Sequence, residues 1–332
     1  MLTDIENIIS NEELFMALAN SSILVTGATG LIGSMLLKTI QAADEKYNLK
    51  IQLYGQIRDF NKAKIIFGES YDLYDFIYDI NDYHFDFIIH TVSPTTSKFF
   101  IEHPVETIKV SVGTTIDVLD IALKNDSSIV YLSSMEQYGI PYETGQIMTE
   151  DKVGIIDHLN IRSSYSESKR LCECLCSSYA SEYNLDVKIA RLAQTFGAGS
   201  LLSDNRMPMQ FARAVIDEKD IVLHTKGMSL SNFVYLSDAI LGIIVVLVKG
   251  LKGEAYNICN DKETKSVKEI ADLVCSEVAG GKIKVRIETK SDMGYAPDVA
   301  MYLDSQKLRN LGWEATVDMV EAYRRLVDYL QQ

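Results

Sequence analysis

Apolar residues along this chain occur in two patterns: short unbroken runs, and longer stretches in which they recur every three or four positions. An unbroken run predicts a buried strand, and the second pattern predicts an amphipathic helix. Helical stretches separate the runs of the N-terminal half, so the pattern predicts βαβ units and a doubly wound parallel sheet of the α/β class. The predicted strands cover residues 23–26, 51–57, 85–90, 128–133 and 187–192.

The alternation weakens after residue 196, and the pattern there predicts a smaller C-terminal lobe. Its expected elements are helices over 204–218, 267–278 and 317–330, and short strands over 232–238 and 254–259. We expect an accessory helix within residues 1–22 and a first domain over 23–196, to which 232–262 return. Residues 197–231 and 263–332 then form the lobe.

Composition and charge exclude several classes of partner. The 332 residues include 32 Lys and Arg against 46 Asp and Glu, a formal net charge of −14. Nucleic-acid surfaces need clustered basic residues, so we expect no nucleic-acid partner. The longest apolar run, near residues 239–248, is too short to span a bilayer, and the first residues lack the pattern of a secretory signal. The sequence therefore predicts no membrane partner and a cytoplasmic location.

The cysteines are expected to be structural thiols. Three of the five lie at positions 172, 174 and 176, inside a helical pattern. Cys172 and Cys176 share a helix face while Cys174 points elsewhere, and no histidine is near in sequence. That spacing matches no closed zinc site, so we predict no metal site.

A glycine-rich loop follows the first predicted strand. Gly27, Gly30 and Gly33 stand three apart, just before a predicted helix over 35–42. Glycines between a strand and a helix permit a tight turn and close approach of a pyrophosphate to the helix start, so the loop predicts dinucleotide binding. The candidate cofactor contacts in this loop are Gly27, Thr29, Gly30, Leu31, Ile32 and Gly33.

Residues at the ends of later strands bear on the choice of cofactor. An acidic residue after the second strand favours NAD, whereas an arginine accommodates the additional phosphate of NADP. Arg58 stands there and favours NADP, while the adjacent Asp59 leaves NAD open and Arg58 as a solvated turn residue remains the alternative. Asp79 and Ile80 are expected to border the adenine, and Thr91 to contact the cofactor.

A candidate catalytic group lies between positions 134 and 169. Tyr165 and Lys169 are four residues apart on a predicted helix, which places the phenol and the ammonium on one face. A nearby cation lowers the pKa of a phenol and makes it a usable acid or base. Ser134 and Glu136 follow a predicted parallel strand, at the edge where doubly wound sheets bind ligands.

These motifs, in this order, resemble the extended short-chain dehydrogenases that modify nucleotide sugars: epimerases, 4,6-dehydratases and UDP-glucuronate decarboxylases. The resemblance runs from Gly27 to Trp313, and segments 90–94, 104–109 and 165–170 are most similar to the decarboxylase and dehydratase branches. It implies a Rossmann fold with a substrate-binding lobe and a tightly bound NAD(P) cofactor. It also implies a homodimer formed through the helices at 104–123 and 169–180, with packing of both helices on their own sheet alone as the alternative.

The resemblance assigns a role to each candidate residue. Tyr165 would take the proton from a sugar hydroxyl, usually at C4, and Ser134 would hydrogen-bond that hydroxyl. Lys169 would hold the nicotinamide ribose. Glu136 would act as a second acid or base beside the transient keto group, with a structural carboxylate bound to backbone amides as the alternative. The candidate substrate contacts are Ser93, Gln194 and Arg206.

The chain departs from the family pattern at several substrate positions. Met135 stands where the dTDP-glucose dehydratases have an aspartate that protonates the leaving hydroxyl, and a thioether donates no proton. Ser231 stands where the family has an arginine on the substrate diphosphate, and a second such arginine is missing near Ala296. The candidate replacement cations are Arg206, Arg213 and Lys226; the alternative is a substrate that is not an ordinary nucleotide sugar.

Three functions remain open at this stage. The first is an enzyme that oxidises a nucleotide sugar at C4 and then changes the adjacent carbon. The second is an NADPH-dependent carbonyl reductase of the same fold, which Arg58 and the missing arginines favour. The third is a non-catalytic NAD(P)-sensing protein, against which the Tyr165, Lys169 and Ser134 group argues, because a sensor needs no acid or base. His90 is expected to be a structural or cofactor-adjacent residue and not a base.

Overall fold

The central sheet has seven parallel strands, and its order reverses beside the first strand of the chain. The computed structural model describes residues 1–201, 204–289 and 299–332. The strand order reverses between β1 and β4, which confirms the doubly wound fold. Across the sheet the strands are β3 (Asp75–Ile77), β2 (Gln52–Gln56), β1 (Ser22–Thr26), β4 (Phe87–His90), β5 (Ser128–Ser134), β7 (Val187–Leu192) and β11 (Ala255–Ile258).

Helices cover both faces of this sheet because its strands are apolar on both sides. The helices are α1 (Leu2–Ile8), α2 (Glu12–Met16), α3 (Leu31–Tyr47), α4 (Phe60–Phe67), α5 (Ser97–Glu102), α6 (Pro104–Asn125), α7 (Ser163–Tyr183), α8 (Met207–Ile216), α9 (Leu236–Lys249), α10 (Val267–Leu273), α11 (Gln306–Arg309) and α12 (Met319–Leu330). Helices α1, α2, α3 and α9 share a core with one face of the sheet, and α6 and α7 share a core with the other.

The C-terminal lobe has its own core and a small mixed sheet. The core packs α8, α10 and α12 together with β9 and β10. In the small sheet β10 pairs with β8 in parallel and with β12 antiparallel, and two further pairs join β9 to β13 and β6 to β14. The remaining strands are β6 (Ile147–Met148), β8 (Gln194–Phe196), β9 (Ile221–Leu223), β10 (Leu230–Tyr235), β12 (Asn260–Ser266), β13 (Val285–Ile287) and β14 (Tyr302–Leu303).

The structure departs from the sequence-based predictions at three places. The N-terminal segment forms two short helices, since Asn11 caps the start of α2 and interrupts the helix. The strand expected over 232–238 ends at Tyr235, where α9 begins, and it lies in the small sheet. Edge strand β3 was not predicted, because its stretch is rich in tyrosine and carries no clear alternation; Phe76 there packs against Phe67 and Tyr71.

Two further features concern membranes and metals. In the described parts of the chain, no helix has the length and apolar character needed to cross a bilayer. Cys172 and Cys176 are buried and Cys174 is exposed, as the helical pattern predicts. Within the same described residues, no group of three or more His, Cys, Asp or Glu side chains is arranged to hold a metal ion.

Candidate active site

A cavity of about 390 Å³ lies at the carboxyl ends of the central strands, and the candidate catalytic residues line it. Ser134 ends β5, Glu136 follows in the next turn, and Tyr165 and Lys169 project from the first turns of α7. The candidate substrate residues also line this cavity; they are Ser93, Gln194 and Arg206. Tertiary structure thus brings together residues that are far apart in sequence.

Lys169 is buried against the carboxyl end of β5. Its Nζ atom donates a hydrogen bond of 2.7 Å to the carbonyl of Leu132. It also lies 4.9 Å from the ring centroid of Tyr131 and 5.7 Å from that of Tyr165. Burial lowers the pKa of Lys169 to about 8, so its charge is sensitive to pH near neutrality.

The phenol of Tyr165 is more strongly desolvated than the sequence suggests. Its ring stacks on Phe100 of α5, with centroids 4.3 Å apart and planes 6° from parallel. Burial, and then the charge of Glu136, raise the pKa of Tyr165 above its usual value. The expected lowering by Lys169 is therefore not observed: burial outweighs the groups that act in the lowering direction, which are the Ser134 hydroxyl and Arg206.

Glu136 faces the cavity in a short 3₁₀ turn. Ser134 caps this turn, its Oγ accepting a hydrogen bond of 3.3 Å from the backbone N–H of Glu136. Burial raises the pKa of Glu136, while the charge of Arg162 and the hydroxyl of Ser166 act against that rise. A carboxyl group with a raised pKa exchanges a proton near neutral pH more readily than an exposed one.

The glycine loop has the shape of a cofactor cradle. Gly27 adopts φ +64°, a conformation that L side chains rarely adopt, and Gly30 precedes α3 without a side chain that would cover the helix start. A Cβ on Gly33 would lie 2.4 Å from the Gly27 carbonyl oxygen. Thr91 fixes the adjacent strand end, since its hydroxyl donates to the Thr26 carbonyl at 2.7 Å. These residues fit a dinucleotide with its pyrophosphate at the helix start.

A second cavity, of about 620 Å³, lies beside the end of β2. Arg58 lines it together with Ser93, which belongs to both cavities. Asp59 is engaged elsewhere, because its carboxylate accepts the backbone N–H groups of Asn61 and Lys62 at the start of α4. Asp79 is likewise hydrogen-bonded to the backbone and side-chain nitrogens of Asn81, and Ile80 is buried.

The cations proposed to replace the missing arginines differ in their surroundings. Arg206 lines the cavity but is paired with Asp204, its Nη2 lying 2.7 Å from Oδ2. Arg213 donates to the Asp204 carbonyl at 2.8 Å. Ser231 lies on β10 opposite Lys265 of β12. Ala296 lies outside the described residues.

Several residues near the site were not identified from sequence. Phe100 stacks on Tyr165, and Arg162 acts on Glu136 while donating to Ser97 at 3.2 Å. Arg162 is three residues before Tyr165, and this helical spacing was the only available signal. His90 is buried between Thr26 and Thr115, and burial lowers its pKa to about 3, so it stays neutral as a structural residue.

The chain belongs to the NAD dependent epimerase/dehydratase family, whose model matches residues 23–259. Among curated relatives, UDP-glucuronic acid decarboxylase 6 of Arabidopsis thaliana is 28% identical over 316 residues, which cover 94% of this chain and 88% of the relative. UDP-glucuronic acid decarboxylase 1 of Xenopus tropicalis is 25% identical over 315 residues, which cover 93% and 72%. The predicted family is thereby confirmed.

Solved structures show the same fold. The UDP-glucuronic acid 4-epimerase of Bacillus cereus, in complex with UDP-glucuronic acid and NAD, matches with a TM-score of 0.75 and 20% identity over 94% of this chain and 99% of its own. A dTDP-glucose 4,6-dehydratase of Bacillus anthracis in complex with NAD matches with a TM-score of 0.73 and 18% identity over 94% and 96%. At these identities the likeness establishes the fold.

Proposed function

We propose that this protein is a nucleotide-sugar-modifying enzyme that oxidises a sugar hydroxyl, at C4, and then acts on the neighbouring carbon. The observation that carries the proposal is the shared cavity: Ser134, Glu136, Tyr165 and Lys169 line one space beside the glycine cradle. A reductase needs a tyrosine and a lysine, but a carboxylate facing the same cavity suits chemistry at a second carbon.

Each residue has a defined task in this proposal. Tyr165 accepts the proton of the C4 hydroxyl, and Ser134 orients that hydroxyl while favouring the ionised phenol. Lys169 binds the ribose beside the nicotinamide through its ammonium. An oxidised nicotinamide cofactor, when bound, supplies the hydride acceptor and an additional positive charge in the site. Glu136 then delivers or removes a proton at the carbon next to the ketone.

Met135 favours one of the possible second steps. Dehydration requires an acid that protonates the departing hydroxyl, and the thioether of Met135, which lines the cavity, donates no proton. Decarboxylation needs no proton on the leaving group: the C–CO₂ bond breaks, its electron pair passes to the adjacent carbonyl as an enolate, and a proton then adds to carbon. Glu136 is placed to supply that proton. A uronic acid substrate is also what the names of the curated relatives describe.

We infer NADP as the favoured cofactor on the strength of Arg58. Its side chain is exposed on the 620 Å³ cavity, while Asp59, the acidic alternative, caps α4. A guanidinium suits a ribose phosphate, whereas a free carboxylate suits a ribose hydroxyl. The solved relatives contain NAD, so direct comparison of both cofactors on the purified protein tests this point.

The proposed reaction is tested by mass spectrometry of nucleotide sugars incubated with the protein in deuterated water without added cofactor. UDP-glucuronate, UDP-glucose and dTDP-glucose make a suitable panel. Loss of carbon dioxide with one deuterium incorporated supports decarboxylation; loss of water, or deuterium at unchanged composition, replaces it with dehydration or epimerisation. Tyr165→Phe is the control, and it abolishes turnover while cofactor affinity stays within about threefold, because only the hydroxyl is removed.

The second candidate function is an NADPH-dependent carbonyl reductase, and Arg58 is the observation that favours it. A reductase must release oxidised cofactor in every cycle, whereas the proposed enzyme retains it, because the hydride taken from C4 is returned to the sugar before the product leaves. The absorbance spectrum of the purified, desalted protein separates the two. A protein without bound nucleotide that turns over only with added NADPH supports the reductase and contradicts the first proposal.

We propose that the protein forms a homodimer through α6 and α7. These helices pack against each other and leave large apolar side chains exposed: Val105, Ile108, Leu123 and Leu171. Exposed apolar surface of this extent is typical of an interface. Leu171→Glu should halve the mass measured by sedimentation, whereas Ile65→Glu, an exposed position on α4, should leave it unchanged. A monomeric unmodified protein contradicts the proposal.

A further inference from the structure

A buried ion pair lies directly behind the candidate catalytic residues. Glu173 of α7 and Arg191 of β7 have side chains that are each only 9% exposed, and Arg191 Nη2 lies 2.7 Å from Glu173 Oε2. Arg191 Nε makes a further contact of 3.0 Å with Oε1. Ser133 donates its hydroxyl to the same Oε1 atom at 2.5 Å. The carboxylate therefore joins a helix and two neighbouring strands.

The position of Glu173 relates it to the site. It follows Lys169 by four residues, as Lys169 follows Tyr165, so all three side chains lie on one buried face of α7. The two side chains contact consecutive residues of β5. Lys169 donates to the Leu132 carbonyl, and Glu173 accepts from the Ser133 hydroxyl; the next residue is Ser134. Both bonds therefore tie α7 to β5.

Stability alone does not account for this pair. Burying two charges costs several kcal/mol in desolvation, and replacement of a buried ion pair by apolar side chains of similar size is often neutral or stabilising. Arg191 has further partners, since its Nη1 donates to the Tyr138 hydroxyl and the Glu150 carbonyl, each at 2.8 Å. The arrangement is therefore rigid at the point where the site needs geometric precision.

We propose that Glu173, clamped by Arg191, is a positioning residue that fixes Lys169 and Ser134 relative to each other and supplies the negative charge that the Lys169 ammonium faces. The proposal rests on the function proposed above. It assigns two separable tasks to one carboxylate: the bond to Ser133 holds the strand end, and the charge acts on Lys169 across one helical turn.

Among the groups that act on Lys169, Glu173 is the carboxylate. On α7 these are Tyr165, Cys172, Cys176 and Glu173; from β4 and β5 they are His90 and Tyr131. Burial lowers the pKa of His90 and raises the pKa of Tyr131 and Cys176, so all three are neutral near pH 7. Burial lowers the pKa of Lys169, and Cys172 and then Glu173 act in the raising direction.

Three variants of the holoenzyme separate these tasks. Glu173→Gln keeps an acceptor for Ser133 but removes the charge. It should move the alkaline limb of the rate to lower pH, because the pKa of Lys169 falls further. Ser133→Ala keeps the charge and should lower kcat about tenfold, the value of one well-placed hydrogen bond, without moving the pH profile. Glu173→Met with Arg191→Met should fold with an unchanged or raised melting temperature, yet show both defects.

A control is the pair formed by Lys188, at the amino end of β7, and Asp186, which precedes that strand; their charged atoms lie 2.5 Å apart, and Lys188 is 5% exposed and Asp186 46%. The same double methionine replacement there should leave kcat and the pH profile unchanged. If the Glu173/Arg191 double variant keeps the kcat and pH profile of the unmodified enzyme, the proposal is wrong. If that variant fails to fold, the Glu173→Gln and Ser133→Ala results decide in the same way.

A readout without turnover separates this proposal from the reaction itself. Lys169 is proposed to bind the cofactor, so the affinity for reduced cofactor, read from its fluorescence across pH 6–10, reports on the ammonium directly. Glu173→Gln should move the pH at which affinity is lost downwards even if no nucleotide sugar proves to be a substrate. An unmoved affinity profile overturns the charge role, whatever the outcome of the activity panel.

Discussion

Replacing Gly33 by alanine inserts a methyl group into space that backbone atoms occupy. The new Cβ would lie 2.4 Å from the Gly27 carbonyl oxygen and 3.0 Å from the Ala28 Cα. No side-chain rotation relieves these contacts, so the start of α3 must move by roughly 0.6–1 Å. Overpacking of this kind costs about 1–3 kcal/mol, and alanine returns about 1 kcal/mol of helix propensity. The net loss of stability is therefore at most about 2 kcal/mol.

The effect on the cofactor should be larger than the effect on stability. A shift of the helix start removes its backbone N–H groups from hydrogen-bond distance of a pyrophosphate, and bonds to a charged acceptor contribute about 1.5–3 kcal/mol each. Loss of one to two such bonds weakens binding by about tenfold or more. Gly33→Ala should thus remain folded while it loses most of its cofactor affinity.

The assay is a fluorescence titration of cofactor-free protein with reduced nicotinamide cofactor, beside urea unfolding of the same samples. Gly113→Ala is the control: it also lies in a helix, but nothing lies within 4 Å of its added Cβ. It should gain about 1 kcal/mol of stability and bind cofactor normally. If Gly33→Ala binds within threefold of the unmodified protein, the cofactor does not use this helix start.

Three further predictions concern stability and cofactor choice. Arg325→Met should lower the free energy of unfolding in urea more than Asp4→Asn does. Asp4 is 3% exposed and Arg325 29%, so loss of the partner leaves a buried charge unpaired only in Arg325→Met. Equal losses in the two variants contradict this. Glu136→Gln should raise the melting temperature at pH 8 but not at pH 4. Burial raises the pKa of Glu136, so its ionisation costs stability only as pH rises through that pKa. A gain in melting temperature that is independent of pH refutes the assignment. Arg58→Ala should weaken NADPH binding about 10- to 100-fold and leave NADH binding unchanged; parallel losses show that Arg58 does not contact the phosphate.

The sequence was informative wherever the signal was local. Continuous apolar runs before residue 196 identified five of the seven strands of the central sheet. The run at 254–259 corresponds to a sixth, β11. The glycine loop was identified because the glycines that its tight turn requires all lie within seven residues of sequence. Tyr165 and Lys169 were placed on one face by helical spacing alone. Edge strand β3 has three residues and no clear pattern, so local reasoning missed it.

The features that determine the chemistry of the site depend on contacts between distant segments. Glu173, Arg191 and Ser133 come from three different elements, and neither their burial nor their pairing follows from any local pattern. The pKa of Tyr165 lies above its usual value because Phe100 and the surrounding core exclude water, an effect that spacing from Lys169 does not reveal.

The class of fold, the place of the glycine loop and the candidate acid and base residues follow from the sequence, because each depends on residue spacing along the chain. Tertiary structure alone decided which of these side chains share a cavity, how strongly each is desolvated, and which charges face one another. Desolvation and Coulomb interactions depend on distances in space between residues remote in sequence. The order of residues along the chain therefore locates the candidate groups, and their packing sets the electrostatic surroundings of each.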